Sequence, residues 1–226
     1  MMTCARSMFA KDVRPMGLVA RGAALMALGL LPFAASCTKT QTQGDSSSYL
    51  IIDNLAGASG VKPTSFSNVL ASDVVTLVSK SQGGQQVMVP TIFEDPGEVT
   101  LSLALKDPGT AASPTNPTKT NFITVTRYHV EYVRADGRNT PGVDVPFPFD
   151  GAFTVTVGGS AATGTFTLVR SQAKQEAPLA ALVGGGGQGV ISTIANVTFF
   201  GTDQAGRAVS VTGTISVNFA DWGDPQ

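Results

Sequence analysis

Residues 190–219 read VISTIANVTFFGTDQAGRAVSVTGTISVNF. Val209, Val211, Ile215, Val217 and Phe219 alternate with small polar residues, the period-two pattern of a strand with one buried face. Residues 190–200 are equally rich in β-formers, and the segment 201–207 between the two runs carries Gly, Asp, Gln and a second Gly, which is turn chemistry. The two runs predict a hairpin. Asn196-Val197-Thr198 matches a glycosylation acceptor, but its position inside the alternating run makes it strand.

The same alternation recurs upstream. Val99, Leu101, Leu103 and Leu105 alternate with Thr100, Ser102 and Ala104, and residues 49–54 and 73–80 give two further strands. Residues 65–71 read as a short helical turn or as irregular chain. Residues 87–93 give a weaker strand, because Pro90 offers no N–H to a ladder and confines the run to an edge or a bulge. Across residues 121–134, Ile123 and Val125 share one phase while Tyr128, Val130 and Tyr132 share the other. A bulge near Thr126 would place all five on one face. Residues 152–157 and 163–170 predict a hairpin around Gly158-Gly159-Ser160, and residues 106–119, rich in Pro, Thr, Ser and Gly, predict a loop. Helix is confined to residues 171–183, where Pro178 and the glycines at 184–187 limit it to one or two turns. Eight or nine short strands with almost no helical periodicity predict an all-β antiparallel sandwich, with residues 49–226 as a single domain. The turn Thr202-Asp203-Gln204-Ala205-Gly206-Arg207 resembles loops between the last strands of bacterial immunoglobulin-like or cadherin-like extracellular modules. That resemblance covers only the C-terminal hairpin and implies an immunoglobulin-like sandwich.

Residues 1–36 have a different character. Arg6, Lys11, Arg14 and Arg21, opposed only by Asp12, precede an apolar run at residues 23–35, the layout of an export signal. The run is broken by Pro32 and falls short of the roughly 20 apolar residues that a spanning helix needs, so it reads as a signal rather than an anchor. Behind it, Leu30-Leu31-Pro32-Phe33-Ala34-Ala35-Ser36-Cys37 resembles the lipobox of bacterial lipoprotein precursors, with Ala34 where Leu is commonest. The resemblance implies a lipid on the Cys37 thiol, cleavage directly before it, and attachment to a membrane through that lipid. Thr38, not Asp, follows the cysteine, which implies passage to an outer membrane where the cell has one. An ordinary secretory signal cut nearby would instead leave Cys37 as an unpaired thiol. Since Cys4 lies in the leader, the mature chain carries Cys37 alone and forms no internal disulfide. Residues 38–48 contain no apolar side chain and predict a flexible tether that holds the domain about 20 Å from the bilayer.

The whole chain has 15 basic and 16 acidic residues. Loss of residues 1–36 leaves 11 basic and 15 acidic residues, a net charge of −4. The basic residues are scattered, so there is no electrostatic footprint for nucleic acid. His129 is the sole histidine, which leaves metal or triad chemistry dependent on one strand residue. The glycine run at 184–189 precedes a strand and lacks the Lys-Ser/Thr pair of a phosphate-binding loop. Asp203 and Asp150 are loop or strand-end carboxylates without the dense ligand spacing of a calcium loop. No cofactor or metal is expected. Glu94, Asp95, Asp144 and Asp150 would serve a hydrolase or lyase of envelope polysaccharide if two of them converged across a cleft.

In residues 140–151, Val143, Val145, Phe147 and Phe149 alternate with Asp144, Pro146, Pro148 and Asp150, and the prolines place this segment at a sheet edge or a sandwich end. Either both phenylalanines enter the core, or Phe147 and Phe149 form an exposed ridge for a partner. Trp222 is a third candidate contact, and with Tyr128 and Tyr132 it completes the set of aromatics that could stack on sugar. The expected function is that of an exported, lipid-anchored envelope protein whose sandwich is a non-catalytic binding or structural module for a protein or polysaccharide partner. The carboxylate-dependent hydrolase or lyase is the competing class.

Overall fold

Residues 45–185 and 189–222 are described by a computed structural model. The predicted leader, Cys37 and all of the tether up to residue 44 lie outside the described residues. The chain forms β1 (Ser48–Gly57), β2 (Val69–Asp73), β3 (Thr76–Gln82), β4 (Gln85–Thr91), β5 (Asp95–Leu105), β6 (Gly109–Thr110) and β7 (Ser113–Pro114). It continues through β8 (Ile123–Val133), β9 (Phe149–Val157), β10 (Ala162–Val169), α1 (Ser171–Lys174), β11 (Ile191–Asp203) and β12 (Ala208–Ala220). Two sheets enclose the core, one ordered β1-β5-β10 and the other β2-β12-β11-β8-β9. β3 and β4 form a separate ribbon, and β6 and β7 a two-residue clasp inside the predicted loop. The architecture is an all-β sandwich with antiparallel pairing throughout, except that β2 runs parallel to β12.

The C-terminal hairpin pairs without interruption from Ile191 opposite Phe219 to Thr202 opposite Ala208. Its turn closes through Asp203: the Asp203 amide donates to Arg207 O, Gly206 N–H donates to Asp203 O, and Gly206 takes a φ of 80° that suits a residue without Cβ. The phase change in the long strand is also present. Both neighbours of β8 shift register around Thr126, between Val125 and Arg127 on the β9 side and between Phe200 and Gly201 on the β11 side. Ile123, Val125, Tyr128, Val130 and Tyr132 are consequently all buried. Gly201 makes the bulge feasible, since a Cβ there would stand 2.4 Å from Thr124 O.

Two local readings are corrected. Residues 152–157 and 163–170 do not make a hairpin: β9 pairs with β8 in the larger sheet, whereas β10 pairs with β5 in the smaller one. The Gly158-Gly159-Ser160 connection therefore crosses between layers. Both strands direct a large side chain inward, Phe153 and Phe166, and on facing sheets these rings pack edge to face at 6.4 Å. Residues 65–71 are not helical, because from Val69 onward they join β2, whose parallel pairing to residues 216–220 of β12 is a tertiary contact with no local signature. Pro90 lies in the β3–β4 ribbon opposite Leu77, where each strand has only one ladder partner.

Tyr128 sits at the centre of the core. Its ring lies within 5.1–6.5 Å of Phe149, Phe153, Phe166 and Phe199. Phe199 is fully enclosed and touches Phe153 of its own sheet and Phe166 of the facing one. Truncation of Phe199→Ala should lower unfolding free energy by about 3–5 kcal/mol, read as a reduced urea midpoint at unchanged slope. A loss below about 1 kcal/mol would mean that the aromatic cluster does not organise the core.

Candidate functional site

The residues singled out from sequence do not gather at one place. Phe149 begins β9 and is buried, 7% exposed. Its ring packs edge-on against Tyr128 at 6.2 Å and is covered by the Arg170 guanidinium 4.4 Å from its centroid. Phe149 is thus corrected from a partner contact to a core residue. Phe147, 48% exposed, lies over Gly142, where a Cβ would come within 2.3 Å of the ring, so it remains at the surface but is held against its own loop. The loop itself is a turn: Thr140 O accepts from the amides of Val143, Asp144 and Val145. Trp222 is half-buried behind the end of β12, and its backbone N–H donates to Asp73 Oδ1 at 3.0 Å.

Tyr128 and Tyr132 are not sugar platforms either. Both are buried and reach from β8 across the core to the backbone of β10. Tyr132 Oη donates to Leu168 O at 2.6 Å, and Thr167 N–H donates to Tyr128 Oη at 3.2 Å. β10 shifts register against β5 between Thr167 and Val169, so both contacts fall at the irregular end of an edge strand. Burial, followed by the negative charge of Asp95, holds the Tyr132 phenol far above its ordinary range.

The carboxylates occupy separate environments. Asp150 Oδ1 accepts from Arg127 Nη1 at 2.6 Å and lies 3.3 Å from His129 Nδ1, an exposed cluster on β8 and β9 in which Arg127 also covers the Phe200 ring at 3.9 Å. The Arg127 hydrogen bond lowers the Asp150 pKa. Asp144 Oδ2 accepts from Thr140 N–H inside the turn. Glu94 is exposed, while its neighbour Asp95 is sealed in the interior. Asp95 therefore faces no cleft that Asp144 or Asp150 could share. Among the described residues no group of three or more His, Cys, Asp or Glu side chains could hold a metal ion.

A polar centre that sequence reading missed lies around Asp95. Its Oδ2 is 2.9 Å from Lys174 Nζ, and both side chains are 1% exposed. Ser72 Oγ donates to Oδ2 at 2.5 Å and Gly60 N–H donates to Oδ1 at 2.8 Å. Four segments meet here: the turn after β1, strand β2, the first residue of β5, and α1. In sequence Lys174 lies in a short polar stretch, Ser-Gln-Ala-Lys-Gln-Glu, that gives no sign of burial.

One groove opens at the side of the sandwich. Residues 50–55 of β1, Asn68 and residues 211–214 of β12 line a space of about 610 Å³. β1 is the edge strand of its sheet, and β2 pairs with β12 only from Ser216 onward, so the groove runs beside two strand edges without a strand between them among the described residues. Ile51 is exposed at the rim, and β1 carries a bulge at Asp53 whose carboxylate accepts from Ser102 Oγ at 2.9 Å. Gly213 lets Ile52 and Leu55 seat directly on the β12 backbone.

No protein-family model, curated protein or solved structure matches the chain.

Asp203 is buried at the β11–β12 turn, where its Oδ1 accepts the amides of Ala205 and Arg207 at 2.9 Å each. Burial pushes its pKa up, but the hydrogen bonds of Arg207 and Ala205 and the Arg207 charge outweigh it and leave the carboxyl below its usual value. A depressed folded pKa contributes stability that is present above the unfolded value, about 4, and is lost as pH falls through the folded value. Asp203→Asn should therefore cost about 1 kcal/mol at pH 7, with the gap to wild type closing in acid. Thermal melts at neutral pH and near pH 3 measure this, and a gap that widens in acid would contradict it.

Proposed function

We propose that this chain is an exported lipoprotein of the bacterial cell envelope, held through Cys37, whose β-sandwich is a non-catalytic module that binds an extended segment of an envelope protein. The observation that carries the reading is the groove between β1 and residues 211–214 of β12. A strand edge presents backbone N–H and C=O groups in a row, and an extended peptide can satisfy them by adding itself as a strand, with pockets for alternate side chains supplying selectivity. Ile51, Ile52 and Leu55 provide apolar surface along one wall, while Asp53, Asn54 and Asn68 provide polar contacts.

Protein is favoured over polysaccharide as the partner because Tyr128 and Tyr132, two of the three aromatics that could stack on sugar rings, are committed to the core, which leaves the half-buried Trp222 without a second platform beside it. The leader pattern supports the anchor: a basic segment, a short apolar run and small residues before Cys37. A net charge of −4 after residue 36 leaves lipid, rather than a basic patch, as the means of membrane attachment.

The test uses the full chain in a bacterial host supplied with a clickable fatty acid. Label should enter the membrane-fraction protein and be missing from a Cys37→Ser variant; no label on either removes the anchor. A photo-crosslinking residue at position 51 of the labelled protein should give a discrete adduct with an envelope protein, at least tenfold reduced when Asn54→Arg and Asn68→Arg crowd the groove. An adduct indifferent to both substitutions would remove the strand-addition reading.

A further inference from the structure

Asp95 and Lys174 are arranged as reactants as well as an ion pair. Nζ stands 2.9 Å from Oδ2, with each side chain 1% exposed. The carboxyl group is fixed at both oxygens, by Gly60 N–H on Oδ1 and by Ser72 Oγ on Oδ2. Pro96 follows Asp95, so the backbone N–H that ordinarily attacks an aspartyl carboxyl to give a cyclic imide is missing. The Lys174 amine is left as the nitrogen nucleophile beside Cγ. Oriented groups held in contact react with the advantage of an intramolecular process, and a dry surrounding suppresses hydrolysis of the product.

We propose that Asp95 and Lys174 condense into an intramolecular amide, a covalent strap between the start of β5 and α1. The ammonium first passes one proton to Oδ2. The freed Nζ lone pair then attacks Cγ, forming the Nζ–Cγ bond, and the charge that develops on Oδ1 is held by Gly60 N–H in the manner of an oxyanion site. Ser72 gives its hydroxyl proton to Oδ2 and takes one from Nζ, after which the Cγ–Oδ2 bond breaks and Oδ2 leaves as water. Of the three ammonium hydrogens one stays on the amide nitrogen, and the other two account for those of the water. No atom changes oxidation state and no co-reactant is required. The product removes two charges whose desolvation opposes burial.

The strap would do what a disulfide does in other exported domains. Both cysteines of the chain, Cys4 and Cys37, precede the sandwich, so no cystine can close it. An amide from residue 95 to residue 174 encloses every strand from β5 to β10, and it holds the connection by which the chain passes from the smaller sheet at β10 to the larger at β11. Closing so long a loop restricts the unfolded chain strongly.

The experiment is tryptic digestion and tandem mass spectrometry of the full-length protein purified from the bacterial host. The expected result is one branched peptide joining the Asp95 segment to the Lys174 segment, lighter than their sum by one water, with no cleavage after Lys174. Asp95→Asn should give the same branched peptide by loss of ammonia, and Lys174→Arg should give none. Two linear peptides and complete cleavage after Lys174 in the wild-type protein would overturn the proposal, whether or not the variants fold. A branched peptide that persists in Lys174→Arg would overturn it as well.

Discussion

A buried charge tolerates little freedom in the structure around it. Removing one member of a buried pair typically costs about 3–5 kcal/mol, because the other is left without water or partner. The contact between Lys174 and Asp95, with Gly60 N–H and Ser72 Oγ in support, therefore fixes the relative positions of the four segments that meet there. The turn carrying Gly60 must lie against β5, β2 must bring Ser72 inward, and α1 must place Lys174 against the first residue of β5. Asp95 is also the last residue of β5 to pair with β10, opposite Val169 beyond the bulge, so the ion pair and the irregularity in the sheet belong to the same corner of the molecule.

The two tyrosines of β8 complete that corner. β10 is an edge strand with a register shift between Thr167 and Val169, and backbone polar groups left unpaired beside a core are costly. Tyr132 supplies a donor to Leu168 O, and Tyr128 supplies an acceptor for Thr167 N–H. Each therefore joins the two sheets through a hydrogen bond as well as through aromatic packing. This accounts for phenols in positions that an apolar ring would otherwise fill, and for the enclosure of Tyr132 beside the negative charge of Asp95.

Away from this corner the sandwich is less closed. The β3–β4 ribbon stands outside both layers with Val87 and Met88 exposed, and β1 is an edge strand beside a groove. The polar interior ties the layers together at one corner, and under the function proposed above the open edge would offer backbone groups to an added strand. The carboxylates are divided in the same way: Asp95 is sealed in the interior, and Asp150 is paired with Arg127 at the surface.

Local chemistry made much of the fold legible. Alternation in residues 208–219 fixed which face of β12 is buried, Gly206 marked the turn, and the phase change across Thr126 required a bulge because side chains on a strand alternate with period two. What failed were questions of partnership. The turn after β9 is compatible with a hairpin or with a crossing between sheets, and only the packing of Phe153 against Phe166 across the core selects the crossing. Phe147 and Phe149 share one alternating pattern, yet the core took Phe149 and left Phe147 on its loop. The candidate site was least legible: Asp95 and Lys174 are ordinary charged residues far apart in the chain, and the groove exists only where two strand edges meet in space. Sequence alone determined most of the strands and their buried faces, because these depend on neighbouring residues. Tertiary structure decided which strands share a sheet and which charges meet in the interior, because both depend on contacts between residues distant in the chain.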